Sequence, residues 1–208
     1  MSQRMPCMKF FLIRHAETTA NAGRIVIGGR EGGKLSERGR RQAAALARRL
    51  SHEKVSAIYC STSNRAMQTA HAIALHQGCD ILYCDELCEI DTGELTGLSH
   101  EQIEGKYPRI FDRIFDNPAK KLPGGESLKD VQRRAMPLIE RLSAREGNPT
   151  IVAVGHNVVN RVIIASLIGL PLEKCRNIKQ KNACRNLLDV KKGFAQVYTV
   201  DNSLHSIK

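Results

Sequence analysis

The chain has 208 residues, with 42% apolar and 25% charged side chains, a profile that fits one soluble globular domain spanning residues 1–208 with a substantial core. Its formal net charge of +11 suits attraction to anionic metabolites, nucleic-acid binding or a plain basic surface. The charges are spread rather than blocked, and with aromatics at 4% and no tryptophan a base-stacking platform has little to work with.

No apolar run approaches the roughly 20 residues of a membrane span. The N-terminal apolar segment is also shorter than the roughly 7–15 residues of a signal-peptide core. The expectation is a cytoplasmic protein with neither membrane nor nucleic acid as partner. The sequence leaves the oligomeric state open. Cys7, Cys60, Cys79, Cys84, Cys88, Cys175 and Cys184 are scattered, with no C-x-x-C and no His/Cys pair at zinc-site spacing. They read as free thiols in a reducing compartment, and no metal or cofactor is expected.

Residues 1–7 read as a loose leader. Lys9–Ile13 is the first expected strand. Ser36 opens a helix whose Ala43, Leu46, Ala47 and Leu50 form one apolar stripe. A short strand over Ala57–Cys60, a helix over Arg65–Gln77 and a strand over Ile81–Cys84 follow. This alternation predicts an α/β fold, a three-layer α/β/α sandwich with a mostly parallel central sheet.

The middle of the chain differs. About 92–126 is polar and broken by Gly97, Gly105, Pro108, Pro118, Pro123, Gly124 and Gly125. It reads as a short helical insertion, a lid rather than core, with helices near 99–106 and 108–116. Ser127 then starts a long helix, in which Pro137 is expected to cause a kink or an end to its first part. Thr150–Val154 reads as a buried strand, Val158–Leu170 as an apolar helix, and the tail as a hairpin around Lys191–Gly193.

The charges fall in a pattern on this scaffold. Arg14 and His15 follow the first strand, Ser61 to Arg65 joins a strand to its helix, and His156 joins another strand to its helix. In an open α/β sheet such ends share one edge, where ligands bind. Cations beside positive helix N-termini are locally unfavourable, by a few tenths of a kcal/mol to about 1. Several together make sense around a bound anion, and a phosphate group fits.

The strings "RHAETTAN", "STSNRAMQTA", "LCEIDTGELTGLS", "PGGES" and "VGHN" stand in an order and spacing that resemble the histidine phosphatase superfamily, the phosphoglycerate-mutase-like fold. The resemblance covers roughly residues 8–202. It implies that His15 is the nucleophile and becomes phosphohistidine. It implies that Arg14, Arg65 and His156 bind the phosphoryl oxygens, with Asn21 as a further phosphate contact, and that Glu89 is the proton donor.

The physics agrees with these roles. Phosphoryl transfer spreads charge over three equatorial oxygens, so positioning and electrostatics do most of the work. His15 must be neutral at its attacking nitrogen, with a backbone carbonyl holding its other N–H. His156 is expected as a protonated donor. Glu89 must start protonated and later activate water. Glu17 reads equally as a loop-orienting group or a solvated one, Asp91 as a turn residue ahead of a second acid, and Asn182-Ala183 equally as a surface loop or a site-facing one. Ala16 stands where the commonest family pattern has glycine, so this loop must avoid a positive φ.

The activity implied is a metal-independent phosphatase for phosphomonoesters of a small phosphorylated metabolite. A cofactor-dependent phosphoglycerate mutase and a phosphohistidine or phosphoprotein phosphatase are the enzymatic alternatives. A nucleic-acid module using the basic surface is the alternative from another class.

Overall fold

The computed structural model describes residues 7–29 and 33–203. The expected leader lies outside them except for Cys7. The first strand, β1 (Met8–Arg14), buries Phe10, Phe11, Leu12 and Ile13 completely. Side chains alternate across a strand, so Phe10 and Leu12 join one core cluster while Phe11 and Ile13 join the other. A strand apolar on both faces belongs inside a sheet covered on both sides.

The remaining strands are β2 (Ala57–Cys60), β3 (Ile81–Tyr83), β4 (Thr150–Gly155), β5 (Arg185–Lys191) and β6 (Phe194–Asn202). Their order is β3-β2-β4-β1-β5-β6. The first four run parallel, and β5 is antiparallel to both β1 and β6. The tail hairpin turns at Gly193, whose φ of +72° is a conformation that side chains disfavour. The sandwich expected from the alternation is the fold observed.

The helices form two layers. On one face lie α2 (Glu37–Leu50) and α3 (Asn64–Ala74), after the single-turn α1 (Thr19–Ala22). On the other lie α4 (His100–Lys106), α5 (Ile110–Asp116), α6 (Leu128–Ser143) and α7 (Asn157–Leu167). Ser36 caps α2 through the Gly39 N–H, and α2 buries Ala43, Leu46, Ala47 and Leu50. Full burial of a leucine contributes about 1.5–3 kcal/mol.

Two expectations change. The segment at 92–126 does contain two short helices, but Ile103, Ile110, Ile114, Phe115 and Leu122 are buried in the same cluster as α6, α7 and β4. Sparse apolar residues hidden among Gly and Pro thus supply core. Pro137 does not end α6, which runs unbroken to Ser143. Pro137 itself is exposed. The buried stripe of Leu128, Val131, Ala135, Leu138, Ile139 and Leu142 outweighs one lost backbone bond. No described helix is long and apolar enough to cross a membrane.

Candidate active site

Strand register assembles the site. Arg14 pairs with Gly155 across β1 and β4, so the next residue on each strand is a histidine, His15 and His156. Their ring centroids stand 5.0 Å apart. Cys60 pairs with Val154 across β2 and β4, which brings Ser61 to the same edge.

His15 is buried, and its Nδ1 lies 2.7 Å from the Ala16 carbonyl oxygen. A carbonyl can only accept, so Nδ1 carries the proton and Nε2 holds a free lone pair. Burial first, then Arg14 and Arg65, hold the pKa of this imidazole well below the usual 6.5; the Ala16 hydrogen bond acts weakly the other way. Its backbone is anchored by its N–H to the Gly155 carbonyl and by its carbonyl, which accepts from the Ala183 N–H. Ala16 is fully buried and is not among the residues with positive φ.

His156 is the N-cap residue of α7 and is fully buried. Its Nδ1 accepts from Arg65 Nε at 3.2 Å. Its Nε2 faces the Ser61 hydroxyl at 2.9 Å and the Ser63 hydroxyl at 3.2 Å. Burial, Arg65, His15, Arg14 and Arg134, in that order, depress its pKa well below 6.5. The expectation of a protonated His156 is therefore corrected. An arginine N–H can only donate, so Nδ1 is bare, and the proton on Nε2 goes to the serines.

Arg65 sits in the first turn of α3 and Arg14 at the end of β1. Burial lowers the pKa of each from its ordinary value, while Glu89 opposes that shift. Arg14 Nη1 donates to the Gln180 carbonyl at 2.5 Å, but its buried Nε has no hydrogen-bond partner. Asn21, on α1, accepts at Oδ1 from the Thr18 N–H and from Asn182 Nδ2.

The Glu89 carboxyl group lies against the N-terminus of α7. Its Oε1 accepts from the N–H groups of Ile90, Val158 and Val159, and its Oε2 from those of Asn157 and Val158, at 3.0–3.2 Å. This is where a helix holds an anion, and it is immediately beside His156. Both oxygens act as acceptors here, so proton donation requires at least one of them to leave α7.

The structure thus brings Arg14, His15, Arg65, Glu89 and His156 together, with Asn21 linked to His15 through Asn182. Asn182 donates to the carbonyl of His15 as well as to Asn21, so this loop faces the site. Glu17 accepts from the Ser36 hydroxyl at 2.7 Å and orients the loop against α2. Asp91 is a turn residue, accepting from the Gly93 N–H. Ser61, Ser63 and Gln180 also contact the site, beyond the residues the sequence points to. Hydroxyls in "STSNR", between a strand end and an arginine, were the available signal for the first two.

A cleft of about 680 Å³ opens beside Glu89, bordered by Gly28, Asp85, Cys88, Asp91 and Glu126. The cations of the 92–126 segment are exposed, and several face neighbouring carboxylates: Lys106 faces Glu94, Arg109 faces Asp112, and Lys121 faces Asp130. Among the described residues no three His, Cys, Asp or Glu side chains form a group that could hold a metal ion.

A bare imidazole nitrogen beside two guanidinium groups, at the carboxyl edge of a parallel sheet, is chemically suited to phosphoryl transfer. The profile of the Histidine phosphatase superfamily (branch 1) matches residues 10–203, and the chain belongs to that family and is a phosphatase. It is 36% identical over 183 residues to phosphoserine phosphatase 1 of Hydrogenobacter thermophilus, covering 87% of this chain and 86% of the relative. It is 29% identical to 2-carboxy-D-arabinitol-1-phosphatase of Triticum aestivum, covering 86% of this chain and 36% of that protein. A mycobacterial glucosyl-3-phosphoglycerate phosphatase superposes with a TM-score of 0.85 at 26% identity, covering 94% and 99% of the two chains.

Proposed function

We propose that the enzyme hydrolyses a phosphomonoester of a small metabolite in two steps through phospho-His15. The carrying observation is the His15 Nδ1–H bond to Ala16, which leaves Nε2 bare in the field of buried Arg65 and half-buried Arg14. In the first step Nε2 attacks phosphorus, the ester P–O bond breaks, and Glu89 gives its proton to the leaving oxygen. In the second, water attacks phosphorus, the P–N bond breaks, and Glu89 takes a proton from the water. Arg14, Arg65, Asn21 and His156 supply donors to the phosphoryl oxygens, the Nε2–H of His156 turning to them from the Ser61 and Ser63 hydroxyls. The unpartnered Nε of Arg14 is the donor most in need of such a ligand.

Phosphoserine heads the substrate panel because a phosphoserine phosphatase is 36% identical over most of this chain. The 92–126 segment borders the cleft and covers it as a lid, resting on its own buried residues rather than moving free of the core. The test is a panel of phosphorylated metabolites, 3-phosphoglycerate included, reading released phosphate and rearranged product together. Hydrolysis lost in His15→Ala supports the reading. Full activity in that variant ends it, and isomerised product in place of free phosphate replaces it with a mutase.

A further inference from the structure

Glu89 is held from two sides. Its carboxyl group rests on α7, as described above, and its backbone is gripped by Arg134 of α6. Arg134 Nη1 donates to the carbonyl of Glu86 at 2.8 Å, and Nη2 to the carbonyl of Glu89 itself at 3.1 Å. The same guanidinium forms a fork with Glu126, Nε to Oε1 at 2.9 Å and Nη2 to Oε2 at 3.0 Å.

Glu126 continues the connection. Its Oε2 accepts from the N–H of Asp91 at 2.9 Å, and its own N–H donates to the Asp91 carbonyl at 2.9 Å. One ion pair thus fastens α6, the turn at Pro123–Ser127 and the Glu86–Asp91 segment. The two side chains are only 23% and 24% exposed, so their hydrogen bonds are shielded from water more than those of an open surface pair. Arg134 and Glu126 border the same cleft as Glu89.

A purely structural staple would hold the segment anywhere along its length. This one closes on the carbonyl of the acid residue itself and on the amide two residues beyond it. The carboxyl group has to travel between the α7 N-terminus and the leaving oxygen, and its reach is set by that backbone. Misplacement of a catalytic group by about 1 Å costs on the order of 10²-fold in rate.

We propose that the Arg134–Glu126 pair is a positioning device for Glu89, fixing the backbone from which the acid delivers its proton. The inference rests on the assignment of Glu89 as proton donor in the proposed function. The role assigned to Arg134 is exerted through Glu89, whose carbonyl it holds.

The discriminating measurement is the dependence of the phosphorylation step on the leaving group. An aryl phosphate such as 4-nitrophenyl phosphate expels a stable anion and needs little help from an acid. An alkyl phosphate expels an alkoxide and depends on one. Rapid-quench bursts are measured across such a series for the unsubstituted enzyme, Arg134→Met, Glu126→Gln and Glu89→Gln.

The expected result is a loss of about 10–100-fold with alkyl esters in the Arg134 and Glu126 variants, part of the roughly 10²–10⁴ a general acid supplies. The aryl burst stays within about threefold, and the leaving-group dependence steepens toward that of Glu89→Gln. Equal slowing across the series, or no slowing, overturns the proposal. Should Arg134→Met fail to fold, Glu126→Gln decides alone, because it keeps the volume and one acceptor while losing the charge. Absence of phosphohistidine in the unsubstituted enzyme has a different signature. It removes the parent reading, and this inference with it.

Discussion

Arg65 donates its Nε–H to Nδ1 of His156 at 3.2 Å. That bond fixes the imidazole in one tautomer, with its proton on Nε2, which faces two serine hydroxyls. His15 is held in the opposite tautomer by the Ala16 carbonyl. The site therefore contains two neutral imidazoles with complementary roles: a bare Nε2 that can attack and a protonated Nε2 that can donate.

This arrangement makes folding stability depend on pH. Both imidazoles have folded-state pKa values depressed well below 6.5 by burial and neighbouring arginines. Below about pH 6.5 the unfolded chain binds protons at these positions while the folded chain does not, so stability falls as pH falls. The loss begins near 6.5 and continues down to the folded-state values, at up to about 1.4 kcal/mol per pH unit for each ring. Urea midpoints measured from pH 7.5 to 5 should decline, and His156→Asn should flatten the decline. A midpoint independent of pH in this range would contradict the neutral state of the two folded imidazoles.

His15→Ala should lower kcat by at least about 10³-fold, the scale seen when a nucleophile acting within a unit is removed. The fold should survive, because the lost ring leaves the Gly155 and Ala183 backbone bonds in place. In the unsubstituted enzyme, alkaline quench during turnover should trap a phosphoryl group that is acid-labile and alkali-stable, the signature of phosphohistidine. Chelator should leave turnover unchanged. Trapping on another residue would reassign the nucleophile.

Much of this site was legible because strand exits are legible. Two apolar runs that stop at a histidine placed His15 and His156 on one sheet edge, and the Arg14–Gly155 pairing turns that into contact. The protonation of His156 was not legible. It depends on which Arg65 nitrogen points at which ring nitrogen, and no spacing encodes that. Glu89 stands out by motif, but its five hydrogen bonds to the backbone are made mostly with α7, far along the chain. Arg134 left no signal at all, because in α6 the apolar stripe is the only visible pattern and a half-buried arginine between stripe and surface looks like any solvated one. The core role of 92–126 was hidden for a related reason: Ile103, Ile114 and Leu122 are single apolar residues without a period.

The two arginines predict the anion affinity. The buried Nε of Arg14 has no hydrogen-bond partner, and Arg65 lies against His156. A charge-assisted hydrogen bond to a phosphate contributes about 1.5–3 kcal/mol, or roughly 10–150-fold in affinity. Arg14→Gln and Arg65→Lys should each weaken phosphate or vanadate binding by about that factor, since lysine cannot reproduce the planar fork. Calorimetric titration reads it directly. Bound anion should also raise the melting temperature of the unsubstituted protein, and much less that of either variant. Unchanged affinity in both variants would place the phosphate elsewhere.

Pro137 offers a test that leaves the chemistry alone. It lies inside α6, where it denies the helix one N–H donor, and its ring is exposed. Proline in a helix interior is about 3 kcal/mol less favourable than alanine. Pro137→Ala restores the donor without emptying core volume, because Leu138 and Ile139 rather than Pro137 face inward. The variant should be more stable by about 1–3 kcal/mol, seen as a higher urea midpoint, with kcat and KM unchanged. A loss of stability would mean that the proline ring sets the path of α6 across the sheet. The grip of Arg134, one turn earlier on the same helix, should then slacken with it, which a parallel fall in alkyl-ester turnover would reveal.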